Sequence, residues 1–440
     1  VAEPHELEIG ELAALLRARA VSPVELCLHF IERVERYDRL VNAFINWDPL
    51  PVLEQARRAE TRLRDRGATG PLDGVPIAVK DNMATTGLPT TVGSRAPLPI
   101  DGGDAAAVSA LRAGGAIVFG KTNLPELAYG PTDRYVFGPT RNPWDLGRYS
   151  GGSSMGAAAA VAAGLVPGAL GTDTTGSVRH PANWCGVTGL KPTRDRIPLT
   201  GVVPLARSLD HVGVLGRSAR DCRLLLVATQ VVAPRPLPRS PPARIGLVRA
   251  PCWERLAEPV RAAVGEAVEV LRALGVSVVE VPLPRWGLVA DAAEIVLARE
   301  AAEGYGTILE LGAGARRKLD DAIKVSHRQY ELAQQLASEF RADLEQAMAG
   351  TDVLLTPGRE STAPRMDEAG RLLDDPAGVR CAAPLNLAGW PALSVPCGFD
   401  PQGLPIGLQL VARPGEDEAL LQMAELYQEA TNWHRRRPDL

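Results

Sequence analysis

Residues 149–181 read YSGGSSMGAAAAVAAGLVPGALGTDTTGSVRHP. Two serines beside glycines, Ser153 and Ser177, stand 24 positions apart. The alanines between them predict a small-residue helix over 153–163, stopped at Gly164. Residues 169–172 read as a strand entering the loop Thr172-Asp173-Thr174-Thr175-Gly176-Ser177. Upstream, Val75-Pro76-Ile77-Ala78-Val79 predicts a buried strand that ends at Lys80 and runs into Asp81-Asn82. Strand and helix alternate in this way to about residue 230, which predicts a layered α/β architecture.

Further out, helices are predicted over 6–20, 24–46 and 51–66, the second started by a Ser22-Pro23 cap. A helix at 105–113 and a strand at 116–119 follow. Residues 231–243 hold five prolines and read as a connector. Beyond it come strands at 244–248 and 276–281 around a helix at 257–273. Two long helical stretches, 288–310 and 315–349, are placed near the substrate pocket. Strands at 352–355, 393–395 and 406–411 precede a closing helix at 417–431. Two domains divided at the connector, or one sheet fed from both sides, fit this pattern equally.

Composition narrows the function. The chain has 440 residues, 45% apolar and 23% charged, with a net charge of −4. That is a globular balance with no basic surface for nucleic acid or anionic membranes. The six cysteines (27, 185, 222, 252, 381, 397) form no CxxC pair and read as buried thiols. Neither a leader-like start nor an 18-residue apolar run stands in the sequence, so a cytoplasmic location is expected. Of 48 basic residues only five are lysine, and Lys80, Lys121 and Lys191 fall around the serine segment. Arginine cannot replace a lysine that must lose its proton.

A serine hydroxyl needs a base to become a nucleophile. Gly152-Ser153-Ser154-Met155-Gly156 satisfies the esterase elbow G-x-S-x-G, with Ser154 as nucleophile. That elbow needs an apolar strand before it, and Asp145-Leu146-Gly147-Arg148-Tyr149-Ser150 reads as loop. The rival base is Lys80. Burial lowers a lysine pKa from ~10.4 by up to ~3–5 units. A relay from Lys80 through Ser153 to Ser177 would make a hydrolase that needs no histidine. The loop before Ser177 suits a cluster of backbone N–H donors for an oxyanion, each worth ~3–4 kcal/mol. His180 is close to Ser177 in sequence but is not read as the base, since its side chain need not face the hydroxyl; His211, Lys191 and Cys185 read as structural, and Tyr129, Asp133 and Arg134 are candidates for the pocket wall. No GxxxxGK[ST] is present, so the glycine loops do not read as a phosphate cradle.

These motifs resemble the amidase signature family. The resemblance rests on Lys80-Asp81-Asn82, Gly151-Gly152-Ser153-Ser154-Met155-Gly156, and Thr172-Asp173-Thr174-Thr175-Gly176-Ser177-Val178-Arg179. It continues through Asn142-Pro143-Trp144-Asp145, Cys185–Thr193, Ser208–Gly213, Asn386-Leu387-Ala388-Gly389 and Gly403–Gln409, and so covers most of the chain. It implies one α/β domain over 1–440, with a large mixed sheet between helices and a signature core at about 60–220. Ser177 would be the nucleophile, Ser153 on a cis Gly152–Ser153 peptide the proton carrier, and Lys80 the base. Backbone N–H groups of Thr174, Thr175, Gly176 and Ser177 would form the oxyanion hole. Ser154 would hold the lysine head, and Asp173 with Arg179 would brace the loop.

No metal or organic cofactor is implied. The implied reaction is hydrolysis of a linear carboxamide to acid plus amine or ammonia. Carbamate or aryl-amide hydrolysis and the glutaminase subunit of a tRNA amidotransferase are alternatives on the same residues. Thr200-Gly201-Val202-Val203-Pro204-Leu205 departs from the segment expected in that glutaminase. A stand-alone enzyme is therefore favoured, monomeric or homodimeric, acting on a small amide or carbamate without nucleic acid or membrane. A non-catalytic scaffold is disfavoured because all three catalytic positions are filled. Two departures from the family stand out. Thr175 replaces a glycine, and is strained if the position needs positive φ or else narrows the pocket. Met155 and Ala157 replace the usual Gly and Ser at the helix start.

Overall fold

A computed structural model describes residues 2–98, 100, 102–130, 135–230, 243–249, 251–308, 310–368 and 380–440. Its strands are β1 (Phe44–Trp47), β2 (Pro76–Lys80), β3 (Ile117–Thr122), β4 (Arg141–Asn142), β5 (Asp145–Tyr149), β6 (Gly168–Asp173) and β7 (Thr188–Lys191). They continue with β8 (His211–Gly216), β9 (Arg244–Val248), β10 (Ser277–Val281), β11 (Val353–Pro357), β12 (Ala392–Phe399) and β13 (Pro405–Val411). Eleven form one mixed sheet in the order β1-β3-β2-β6-β8-β7-β12-β13-β11-β9-β10, while β4 and β5 make a separate hairpin.

Every residue of β2, β3, β6 and β8 is buried. Continuous apolar strands of this kind need helices on both faces of a sheet. One of those helices, Met155–Ala162, is buried on all sides, which its near-uniform alanine content allows. Its second residue must be glycine. A Cβ on Gly156 would lie 2.2 Å from the Ala43 carbonyl oxygen and 2.4 Å from the Asn123 nitrogen.

The parallel pairing of β2 with β6 sets up the site. Ile77, Ala78 and Val79 face Gly168, Ala169 and Leu170, so Lys80 leaves its strand beside the start of the second serine loop. The carboxyl ends of parallel strands are the usual site of ligand binding in α/β sheets. The sheet also joins sequence from before and after the connector, since β7 pairs antiparallel with β12. Connector residues 231–242 lie outside the described residues.

Two expected boundaries differ. Helix 24–46 ends at Val41, because Asn42 takes a left-handed conformation (φ 58°) and turns the chain into β1. Stretch 315–349 is two helices, Ala313–Ala322 and His327–Ala347; the second starts at Ser326, whose hydroxyl accepts from the Gln329 N–H. Residues 145–149, read as loop, form strand β5 of the hairpin; its pattern is partly exposed, unlike the apolar central strand of an esterase elbow.

Candidate active site

Lys80 has no exposed surface. Its Nζ donates to Ser153 Oγ at 2.7 Å and to Thr172 Oγ1 at 2.8 Å, with the Thr172 carbonyl oxygen at 3.3 Å. Burial pushes the ammonium down to about 7, against the pull of the Asp173 and Asp210 carboxylates. Asn82 also donates to Thr172 Oγ1, at 3.0 Å. The lysine head is therefore held by Thr172, a residue the sequence reading passed over although it opens the second serine loop. Ser154, expected to hold the lysine, works one step away: its hydroxyl donates to the Thr172 carbonyl at 3.1 Å.

Ser153 follows a cis peptide from Gly152 and is 2% exposed. The Ser154 N–H donates to the Ser177 carbonyl at 2.9 Å, which ties the two serine loops together. Ser153 and Ser177 line one cavity of about 100 Å³. Among the described residues, no protein acceptor takes the backbone N–H of Thr174, Thr175 or Ser177. Gly176 differs from the expected quartet, because its N–H is engaged by Asp173 Oδ1 at 2.8 Å. The positive φ of the loop falls on Gly176 (121°) and not on Thr175, which lines the cavity without that strain.

Asp173 and Arg179 form a buried ion pair, Nη2 to Oδ1 at 2.9 Å. Burial works against the Asp173 charge, but Arg179 and Asn386 hold its carboxyl well below the usual range. Asn386 Nδ2 donates to Asp173 Oδ1 at 2.8 Å, and Arg179 Nη1 donates to Gln409 Oε1 at 2.7 Å. The distant Asn-Leu-Ala-Gly and Gly-Leu-Gln motifs thus brace the loop that carries Ser177. Lys191 is buried and donates to the Pro192 carbonyl at 3.1 Å; His211 Nδ1 lies 2.7 Å from the Leu209 carbonyl. Cys185 is a buried thiol.

Tyr129 lines the cavity, while Asp133 and Arg134 lie outside the described residues. His180 lines it too. Glu294 and Leu297 from helix Trp286–Tyr305, Lys318 from helix Ala313–Ala322, Trp184 and Arg359 complete much of the wall. No motif marks these positions, which meet Ser177 only through the tertiary fold.

The family model described as Amidase matches residues 25–421. The chain belongs to the amidase family. A crystal structure of an amidase superposes with a TM-score of 0.90 at 34% identity, covering 96% of this chain and 99% of that one. The peptide amidase of Stenotrophomonas maltophilia gives 0.84 at 28% identity, with 98% of each chain covered. Among curated amidase relatives, a glutamyl-tRNA(Gln) amidotransferase subunit from Aromatoleum aromaticum is 40% identical over 485 residues, covering 98% of both chains. The protein of the same name from Roseiflexus castenholzii is 37% identical over 487 residues, covering 99% and 98%. These relatives overturn the expectation of a small-molecule enzyme with no nucleic acid and no partner beyond a second copy. Their names place them in an enzyme of glutamyl-tRNA built from more than one chain, and net charge alone does not exclude such a role. Among the described residues, no helix is long and apolar enough to cross a membrane.

Proposed function

We propose that this amidase-family chain hydrolyses a primary carboxamide through an acyl-enzyme on Ser177, and that glutamine is its ammonia donor within a tRNA amidotransferase. The observation that carries the chemistry is the 2.7 Å contact between buried Lys80 and Ser153, in a cavity shared with Ser177. Neutral Lys80 takes the Ser153 proton as Ser153 takes that of Ser177, and Ser177 Oγ attacks the carbonyl carbon. The N–H groups of Thr175 and Ser177, with that of Thr174, stabilise the oxyanion. The same relay returns a proton to the leaving nitrogen, which departs as ammonia. Water then cleaves the ester and releases the acid. The similarity to amidotransferase chains along 98% of this one supports glutamine as the donor. That reading puts the chain in the cytoplasm, where tRNA is charged.

A second reading, hydrolysis of small amides or carbamates on the same residues, is favoured by one observation. The aligned 485 positions exceed the 440 residues of this chain, so the curated relatives carry residues inside the matched region that it lacks. Ammonia or amine release from glutamine, short aliphatic amides, p-nitroacetanilide and aryl or alkyl carbamates separates the two. Glutamine turnover that rises when the chain is purified with partner proteins supports the first. Turnover of neutral amides or carbamates with none of glutamine supports the second. A fluorophosphonate probe should label the wild-type chain and fail on Ser177→Ala; equal labelling of both would sink the acyl-enzyme.

A further inference from the structure

The relay leaves one wall of the cavity without a task. His180 is 5% exposed and lines the cavity beside Ser177, and its Nε2 is buried with no hydrogen-bond partner among the described residues. Its ring is pressed against the nucleophile's loop. The His180 backbone N–H donates to the Gly176 carbonyl at 2.7 Å, and a Cβ on Gly176 would meet the imidazole at 2.4 Å. Arg359, two residues past β11 and 7% exposed, lines the same cavity with its guanidinium 4.3 Å above the Trp184 ring. Trp184 is itself part of the lining. Burial and the neighbouring guanidiniums of Arg359 and Arg179 keep His180 neutral. A neutral imidazole keeps one N–H to donate. A planar guanidinium fixed on an aromatic face is suited to a carboxylate. A buried imidazole nitrogen without a partner, in a residue that lines a reaction cavity, is a polar group left to be satisfied.

We infer that His180 and Arg359 together bind a carboxylate carried on the acyl chain of the substrate, so that the enzyme selects amides of short dicarboxylic acids and ω-amides of amino acids over neutral amides. This deepens the proposed hydrolysis at Ser177 and rests on it for turnover, although binding is testable without turnover. The cavity, about 100 Å³, limits the acyl chain to a few carbons. His180 contacts the carboxylate and takes no part in the proton relay, which Lys80 and Ser153 complete without it.

Calorimetric titration of the Ser177→Ala protein with glutaramate and with butyramide, its counterpart lacking the carboxylate, reads binding alone. Glutaramate should bind at least tenfold more tightly. Arg359→Met should bring the ratio of the two affinities towards one, and Arg359→Lys should recover part of it. His180→Ala should reduce the ratio several-fold, and His180→Gln, which restores an N–H donor, should recover it. Equal binding of the two amides, binding of neither, or a ratio unchanged in Arg359→Met overturns the inference. Melting curves confirm that each variant is folded, and the Lys and Gln variants carry the test if the Met and Ala variants are not. Wild-type turnover distinguishes the two claims. Hydrolysis of butyramide with equal affinities leaves the Ser177 chemistry standing and removes the carboxylate wall. Selective glutaramate binding with no amide hydrolysed does the reverse.

Discussion

Lys80 gives up water entirely, and its hydroxyl neighbours Ser153 and Thr172 offset only part of that loss. Its charged form is therefore disfavoured, which the proposed base requires. With burial holding it at about 7, kcat/KM for a neutral amide should rise about tenfold per pH unit below 7 and level off above. A profile flat from pH 5 to 9 would remove Lys80 as base, and Lys80→Met should lower kcat by about 10³-fold or more. The same shift has a stability signature. Between about 7 and 10.5 the unfolded chain binds a proton that the folded chain lacks, so the contribution of Lys80 to stability rises with pH across that window. Below about 7 both states are protonated and the cost is fully present. Melting temperatures of wild type and Lys80→Met, compared at pH 7 and pH 10, should shift in favour of wild type at the higher value. Thr175 is the other informative residue. Having no positive φ to tolerate, it acts by its volume. Thr175→Gly should raise kcat/KM for longer acyl chains several-fold relative to acetamide, measured by ammonia release.

Among the elements, the loop from Asp173 to Arg179 depends on partners from the far end of the chain. Arg179→Met leaves the buried Asp173 charge with neutral donors, Asn386 and the backbone N–H groups of Gly176, Val178 and residue 179, and should cost about 3–5 kcal/mol in urea unfolding. Asn386→Ala removes one donor and should cost about 1–3 kcal/mol. The chemical groups were legible in the sequence because short local patterns carry them: a strand ending in lysine, and two glycine–serine loops flanking an alanine helix. The wall was not. Glu294, Lys318 and Arg359 sit on elements whose apolar pattern reports only which face is buried, and their approach to Ser177 is set by strand order. Local misreadings have local causes. The helix predicted to 46 was cut by the left-handed Asn42, whose short polar side chain tolerates a conformation that no periodicity reveals. Ser326, a capped start inside a continuous helical pattern, was hidden in the same way.

For the whole molecule, the pairing of β7 with β12 means that residues up to 230 contain Lys80, Ser153 and Ser177 but neither β12 nor Asn386 and Gln409, which brace the loop that carries Ser177. Without the Asn386 and Gln409 contacts to that loop, a fragment of residues 2–230 should show no amidase activity alone, and co-expression with 243–440 should restore it; an active first fragment would contradict this. The hydrogen bond between the Ser154 N–H and the Ser177 carbonyl has a consequence of another kind. It clamps the two reactive loops to each other within 25 residues of chain. Much of the cavity wall is supplied more than 100 residues later, by Glu294, Leu297, Lys318 and Arg359. The proposed bond-breaking groups thus lie in one stretch of the gene, while much of the wall around them lies in another. Variation or recombination in the later stretch can retarget the enzyme while the earlier one is inherited intact.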